Sequence, residues 1–212
     1  MNNVAKRNML DLLDELRAIA QTGLNYSQDP FDIQRYTRIR DLVSKEYSIY
    51  SGISTNEIRA RFSKELGYVT PKIGVQCALF NDAGEILLEK RKDDGLWGLP
   101  GGWVEVSEIP EAAIKREIAE EANLTVESLS VIGFYTRLSG QFDQPHASIH
   151  VLYLCDNWNG ELKMSFESLA MEFQDPFKIS HWHKDHKQQA EEAVKQYGFI
   201  CNKADSLVNN HF

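Results

Sequence analysis

The chain has 212 residues, of which 42% are hydrophobic and 25% charged, with a formal net charge of −8. That is an ordinary globular composition, enough for one large domain or a medium domain with a small companion, and no apolar stretch approaches the roughly 18–20 residues that span a bilayer. The acidic balance argues against general binding to DNA or RNA backbones, which needs a basic footprint, while a phosphate substrate stays possible where metal ions reverse the local field.

The N-terminus, Met1 to Arg17, is charged and helix-like and has no signal-peptide apolar core. The three cysteines, Cys77, Cys155 and Cys201, are far apart and form neither a CxxC pair nor a zinc spacing. Cys77 and Cys155 lie in apolar strand-like runs, which predicts buried free thiols. Together these features place the protein in the cytoplasm.

The first helix carries an amphipathic stripe of Leu10, Leu12, Leu13, Leu16, Ile19 and Ala20 and is expected to end near Gly23. Asp29-Pro30 starts a second helix, with Asp as N-cap and Pro at the first helical position. Phe31, Ile33, Tyr36, Ile39, Leu42 and Val43 supply its apolar face. Ser54 or Thr55 opens a third, bearing Ile58, Phe62 and Leu66 and ended by Gly67. Pro71 marks the boundary of this helical part.

From Lys72 the texture changes. Val75 to Phe80 and Glu85 to Arg91 read as strands joined by the hairpin signal Asn81-Asp82-Ala83-Gly84. Asp93-Asp94-Gly95 turns the chain again. Pro110 opens a helix running to about Ala122, although Ile109 in front of it cannot cap as Ser or Thr would. Leu129 to Leu138 and Ala147 to Cys155 are further strands, Ala170 to Phe173 is a short one, and Lys184 to Tyr197 is a final helix.

The chemistry concentrates on the helix that Pro110 opens. At 100° per residue, Glu117, Glu120 and Glu121 share about one third of its circumference. Like charges at that spacing repel and weaken a helix. A hard divalent cation removes the penalty, because carboxylate oxygens are its preferred ligands. Glutamates on helices are mostly solvated surface residues; the preceding glycine turn, Leu99-Pro100-Gly101-Gly102-Trp103, and Arg116 set this group apart.

Gly102, Glu108, Arg116, Glu117, Ile118, Glu120, Glu121 and Leu124 stand at the positions of the Nudix box, and the chain resembles a Nudix hydrolase. One position departs: Asn123 replaces the final glycine, and Asn is the usual second choice for the left-handed residue closing a helix. The resemblance implies an α+β fold, the α/β/α Nudix sandwich with a mixed sheet, over residues 71–212, preceded by a small all-α domain over 1–70. It further implies that the backbone carbonyl near Gly102 reaches a metal ion.

Cleaving a P–O–P linkage requires neutralised oxygens, an aimed water and a stabilised leaving phosphate, needs that two or more Mg²⁺ or Mn²⁺ ions can serve. Glu117 and Glu121 are the expected direct ligands, with Glu120 a further ligand and Glu105 a secondary candidate. Arg116 is expected to orient Glu117, and Glu108 to tie the loop to that arginine. For the general base, Glu117 could share both roles; Glu167 and Glu172 are later alternatives. Arg91 and Arg137 could meet substrate phosphates, and Trp97, Trp103, Tyr135 and Phe142 could stack on a base, although core packing explains such aromatics equally well. His181, His183 and His186 fit no common metal spacing and read as surface histidines before the last helix.

The segment from Asp29 to Arg40 resembles the helical domain that precedes bacterial Nudix hydrolases acting on a nucleoside diphosphate linked to X, a group whose substrates include CDP-choline and ADP-ribose. This implies hydrolysis to a nucleoside monophosphate and phospho-X by a homodimer that binds neither nucleic acid nor membrane. The rivals are a nucleoside triphosphate pyrophosphatase and a non-catalytic Nudix-fold sensor.

Overall fold

The helix-start signals at Asp29 and Ser54 operate as expected in the computed structural model, which describes residues 3–64, 68–144 and 146–209. By packing, the chain divides into two units, Met1–Lys72 with Thr136–Ile149 and Ile73–Tyr135 with His150–Phe212.

The first unit is built on α1 (Asn3–Tyr26), α2 (Pro30–Ser51) and α3 (Thr55–Ser63). Asp29 caps α2 by accepting from the amides of Phe31 and Asp32 at 2.9 and 3.0 Å, and Ser54 caps α3 through Glu57 N. Leu10, Leu13, Val43, Tyr47, Ile58 and Phe62 form the core of this unit. Two expectations need correcting. Leu12 and Ile19 on α1, and Phe31 and Leu42 on α2, are exposed, so the buried stripes are narrower than the sequence pattern suggested. Helix α1 also continues past Gly23 to Tyr26. Gly23 serves close packing instead of termination, since a Cβ there would stand 2.5 Å from the Tyr36 ring. The expected end of α3 at Leu66 and Gly67 lies outside the described residues. Thr136–Ile149 joins this unit, where Ser139 Oγ donates to Asp14 Oδ2 at 2.7 Å.

The second unit holds the strands β1 (Lys72–Leu79), β2 (Ile86–Arg91), β3 (Trp97–Gly98), β4 (Leu124–Val126), β5 (Ser130–Arg137), β6 (Ser148–Cys155), β7 (Trp158–Gly160) and β8 (Ser168–Gln174), with α4 (Pro110–Ala122) and α5 (His186–Asn209); β1, β5 and β6 each extend into the first unit at one end. They pair in the orders β1-β6-β5, β3-β2-β8 and β4-β7. Antiparallel ladders join β2 to both its neighbours, while a parallel bridge links Trp97 to Trp182, so the pairing is mixed. The short strands β3, β4 and β7 are too brief to leave a periodic signal in the sequence.

The two-residue strand period divides this unit into layers. Cys77, Leu79 and Leu87 pack with Ile114 and Ile118 of α4, whereas Ala78, Phe80, Ile86 and Leu88 pack with Ala190 and Ala193 of α5. Strands covered by a helix on each face make an α/β/α sandwich within an α+β chain. Cys77 and Cys155 are buried and free, as expected; the side chain of Cys201 lies outside the described set. Among the described residues, no helix is long and apolar enough to cross a membrane.

Candidate active site

Helix α4 begins at Pro110 behind Ile109, which makes no side-chain cap, and ends on Asn123 in the left-handed region (φ 56°, ψ 31°). The asparagine therefore takes the conformation a glycine would, and its Nδ2 donates to Glu161 O at 3.0 Å.

Arg116 holds the outer end of the site. Its Nε and Nη2 donate to the two oxygens of Glu108, each at 3.0 Å, a bidentate pair. Its Nη1 donates to Glu117 Oε1 at 2.9 Å and to Glu120 Oε2 at 3.2 Å, and Nη2 also reaches Trp103 O at 3.2 Å. Glu108 in turn accepts from Glu105 N at 3.1 Å, which ties the loop to α4. The guanidinium holds the Glu108 carboxyl below the usual range. Burial pushes Glu117 up despite Arg116, with Glu120 and Glu108 adding to the rise.

The inner end is different. Glu121 is only 8% exposed, and its Oε2 accepts from Gly101 N at 2.9 Å. Burial, then the charge of Glu89, pushes its carboxyl up to about 8, against the lowering effect of that amide. Glu89 follows Leu87 by two residues on β2, so the strand period turns it to the α4 side. It is 3% exposed, and its Oε1 accepts from Ser168 Oγ at 2.8 Å. A cavity of about 350 Å³ opens here, lined by Glu89, Arg91, Lys92, Asp93, Glu121, Phe166 and Glu167.

The structure thus gathers Gly102, Arg116, Glu117, Glu120 and Glu121 on the turn and α4, and sets Arg91 and Glu167 with Glu121 around the cavity. The Gly102 carbonyl already accepts from Val75 N at 2.8 Å, which leaves it one lone pair. Glu105 is exposed on the loop. Trp103 is exposed, with its ring 5.4 Å from that of His150. Tyr135 packs in the core facing α5, away from the α4 layer. Arg137 belongs to the helical unit, buried, with its guanidinium 6.0 Å from the Phe142 ring. Glu172 pairs in register with Leu88, on the opposite face of the ladder from Glu89.

The histidines need a correction. His183 and His186 are buried. His183 Nδ1 pairs with Asp94 Oδ2 at 2.5 Å, and His186 Nδ1 accepts from Leu99 N at 2.9 Å in the space a Cβ on Gly98 would fill. They brace the turns on either side of β3. Sequence reasoning also missed Glu89, for which the available signal was a carboxylate inside an apolar strand run.

Among the described residues, no three His, Cys, Asp or Glu side chains form a ready-made metal cage. The donor chemistry nonetheless fits a hard divalent cation: two buried carboxylates from α4 and β2 carry too little positive charge around them, and all donors are oxygen.

Residues 70–197 match the family described as NUDIX domain, and residues 7–62 match one described as UDP-X-like, N-terminal oligomerisation domain. A Bacillus subtilis (strain 168) protein named "Putative ADP-ribose pyrophosphatase YjhB" is 31% identical over 160 residues, spanning 75% of this chain and 76% of that protein. The ADP-ribose pyrophosphatase of Methanocaldococcus jannaschii is 34% identical over 133 residues, 61% of this chain and 75% of its own. The crystal structure of a UDP-X diphosphatase shares the fold, with a TM-score of 0.50 at 24% identity over 91% of this chain and 96% of that one. With its box assembled on the turn and α4, and with the domain match covering more than half its length, the chain belongs to the Nudix family and is a pyrophosphohydrolase.

Proposed function

We propose that the protein hydrolyses the pyrophosphate bond of a nucleoside diphosphate linked to X, of the ADP-ribose or CDP-choline type, giving a nucleoside monophosphate and phospho-X. The observation that carries this reading is the cavity in which Arg91 and Lys92 stand beside Glu121, one helical turn from the Arg116-held Glu117. Support for the substrate class comes from the ADP-ribose pyrophosphatase relatives and from the UDP-X-like match of the helical segment.

In this reading, Glu117 and Glu121 hold Mg²⁺ or Mn²⁺, two or more ions per site, with Glu120 a further ligand, the Gly102 carbonyl contributing its remaining lone pair and Glu105 in reserve. When bound, such ions neutralise phosphate oxygens and lower the pKa of a water. Arg116 keeps Glu117 in one orientation, and the bidentate Glu108 pair keeps Arg116 in place. Arg91, braced by Asp93 at 3.0 Å, and Lys92 bind the diphosphate oxygens. Glu167, exposed at the cavity, takes the proton of the attacking water, with Glu117 the alternative base. Trp103, exposed on the loop, stacks on the base. The helical unit supports a homodimer, for which Phe31, Leu42 and Ile49 provide exposed apolar surface. The buried free thiols fit a cytoplasmic setting.

A panel of ADP-ribose, CDP-choline and nucleoside triphosphates, each with Mg²⁺ and with Mn²⁺ and with product analysis to locate the cut bond, tests this. Nucleoside monophosphate plus phospho-X is the expected outcome; clear preference for triphosphates overturns the substrate class.

A further inference from the structure

Glu89 is held by one oxygen only. Ser168 Oγ donates to Oε1 at 2.8 Å, while Oε2 is buried and accepts no hydrogen bond among the described residues. Arg91 Nη1 stands 3.9 Å from Oε2, beyond hydrogen-bond reach, and that guanidinium is already forked onto Asp93. The ladder shifts register between Lys90 and Arg91 opposite Ser168, and such irregularities re-aim side chains. The carboxylate is thus steered towards the cavity it shares with Glu121. A buried carboxylate with a bare oxygen is expensive whether charged or neutral, since the acid form would need an acceptor for its proton. Next to a second buried carboxylate, a cation is the partner that offsets both charges at once.

We propose that Glu89 is a further ligand of the divalent-cation site, binding Mg²⁺ or Mn²⁺ directly through Oε2 alongside Glu121. This rests on the reading of Glu121 as a cation ligand. It makes the site bipartite: one half comes from the acidic face of α4, and the other from a strand with no place in the box. Ser168 is a positioning residue, fixing Oε1 so that Oε2 faces the ion.

The test is a Mn²⁺ titration of the full chain without substrate. The electron paramagnetic resonance of free Mn²⁺ gives stoichiometry and affinity, and the Mn²⁺-induced rise in melting temperature is followed in parallel. Glu89→Gln keeps the side-chain shape and the Ser168 contact. It should lose one Mn²⁺ per chain, or bind it at least about tenfold more weakly, and should show a smaller Mn²⁺-induced melting shift without a lower melting point in chelator. Wild-type stoichiometry and affinity in Glu89→Gln overturn the assignment. If Glu121→Gln loses Mn²⁺ while Glu89→Gln does not, Glu89 alone is wrongly assigned; if the wild-type chain takes up no Mn²⁺, the reading of Glu121 falls with it. Should Glu89→Gln fail to fold, Ser168→Ala retains the carboxylate and should still weaken Mn²⁺ binding several-fold; unchanged affinity there overturns the proposal.

Discussion

The two ends of the acidic site treat charge in opposite ways. At the outer end, Arg116 distributes its donors over Glu108, Glu117, Glu120 and the Trp103 carbonyl, so four groups share one cation. At the inner end, Glu121 and Glu89 are buried with one backbone amide and one hydroxyl between them. The outer end is complete as a structure. The inner end lacks the partners its two buried carboxylates need, Glu89 Oε2 above all, which is the property expected of a binding site instead of a brace.

Glu121→Gln should separate the two ends most strongly. It keeps size and removes charge, so turnover on the preferred substrate should fall by about a hundredfold or more while the Arg116 network and the fold persist. Near-wild-type turnover would remove Glu121 from the ligand set. Arg116→Lys attacks the outer end. A lysine cannot fork onto Glu108 while also reaching Glu117, so turnover should fall about ten- to a hundredfold, and the loss should appear mainly in kcat. An unchanged kcat would mean that Glu117 needs no orienting partner.

Gly102→Ala should act more weakly. Its Cβ would stand 2.3 Å from Glu117 Oε1, the far end of a flexible side chain, so Glu117 must shift while the backbone need not. Roughly a tenfold loss of turnover with little change in melting temperature is expected; wild-type kinetics would show that Glu117 tolerates displacement.

The smallest effect is on the metal-free protein. Glu121 titrates near 8 in the folded chain, above the ordinary carboxylate value it has when unfolded. A raised folded-state pKa gives stability that is complete below the unfolded pKa and is lost as pH rises through the folded one. In chelator, the melting temperature should therefore decline between about pH 5 and about pH 8, and Glu121→Gln should flatten the decline. A melting point that instead rises steadily over this range would contradict the burial argument for Glu121.

Much of the outer end is legible in the chain. Pro110 and Asn123 bound α4 where punctuation predicts, and the helical period sets Glu117, Glu120 and Glu121 on one side. The period does not say that Glu120 stays 62% exposed while Glu121 is buried, because that depends on which strand covers the helix. Two of the three histidines show a similar failure, while His181 is exposed as expected. A polar run before a helix looks like surface, yet β3 and its flanking turns need internal partners, and His183 and His186 supply them. Leu12 and Phe31 err the other way, since an apolar residue at the margin of a stripe can remain in solvent.

Local order, then, is written in short-range chemistry. Capping residues, strand alternation and carboxylate spacing act over a few positions, and each is readable without knowing the neighbours. Glu89 meets Glu121 only because β2 lies beneath α4 with Leu87 and Glu89 on its inner face, and Ser168 reaches Glu89 only through the register of β8. Such meetings join distant stretches of chain, and their energy comes from burial and shared charge that exist only after packing. The family and the acidic helix were therefore open to reading from residues alone, while the second half of the cation site became visible only once the sheet and helix were assembled.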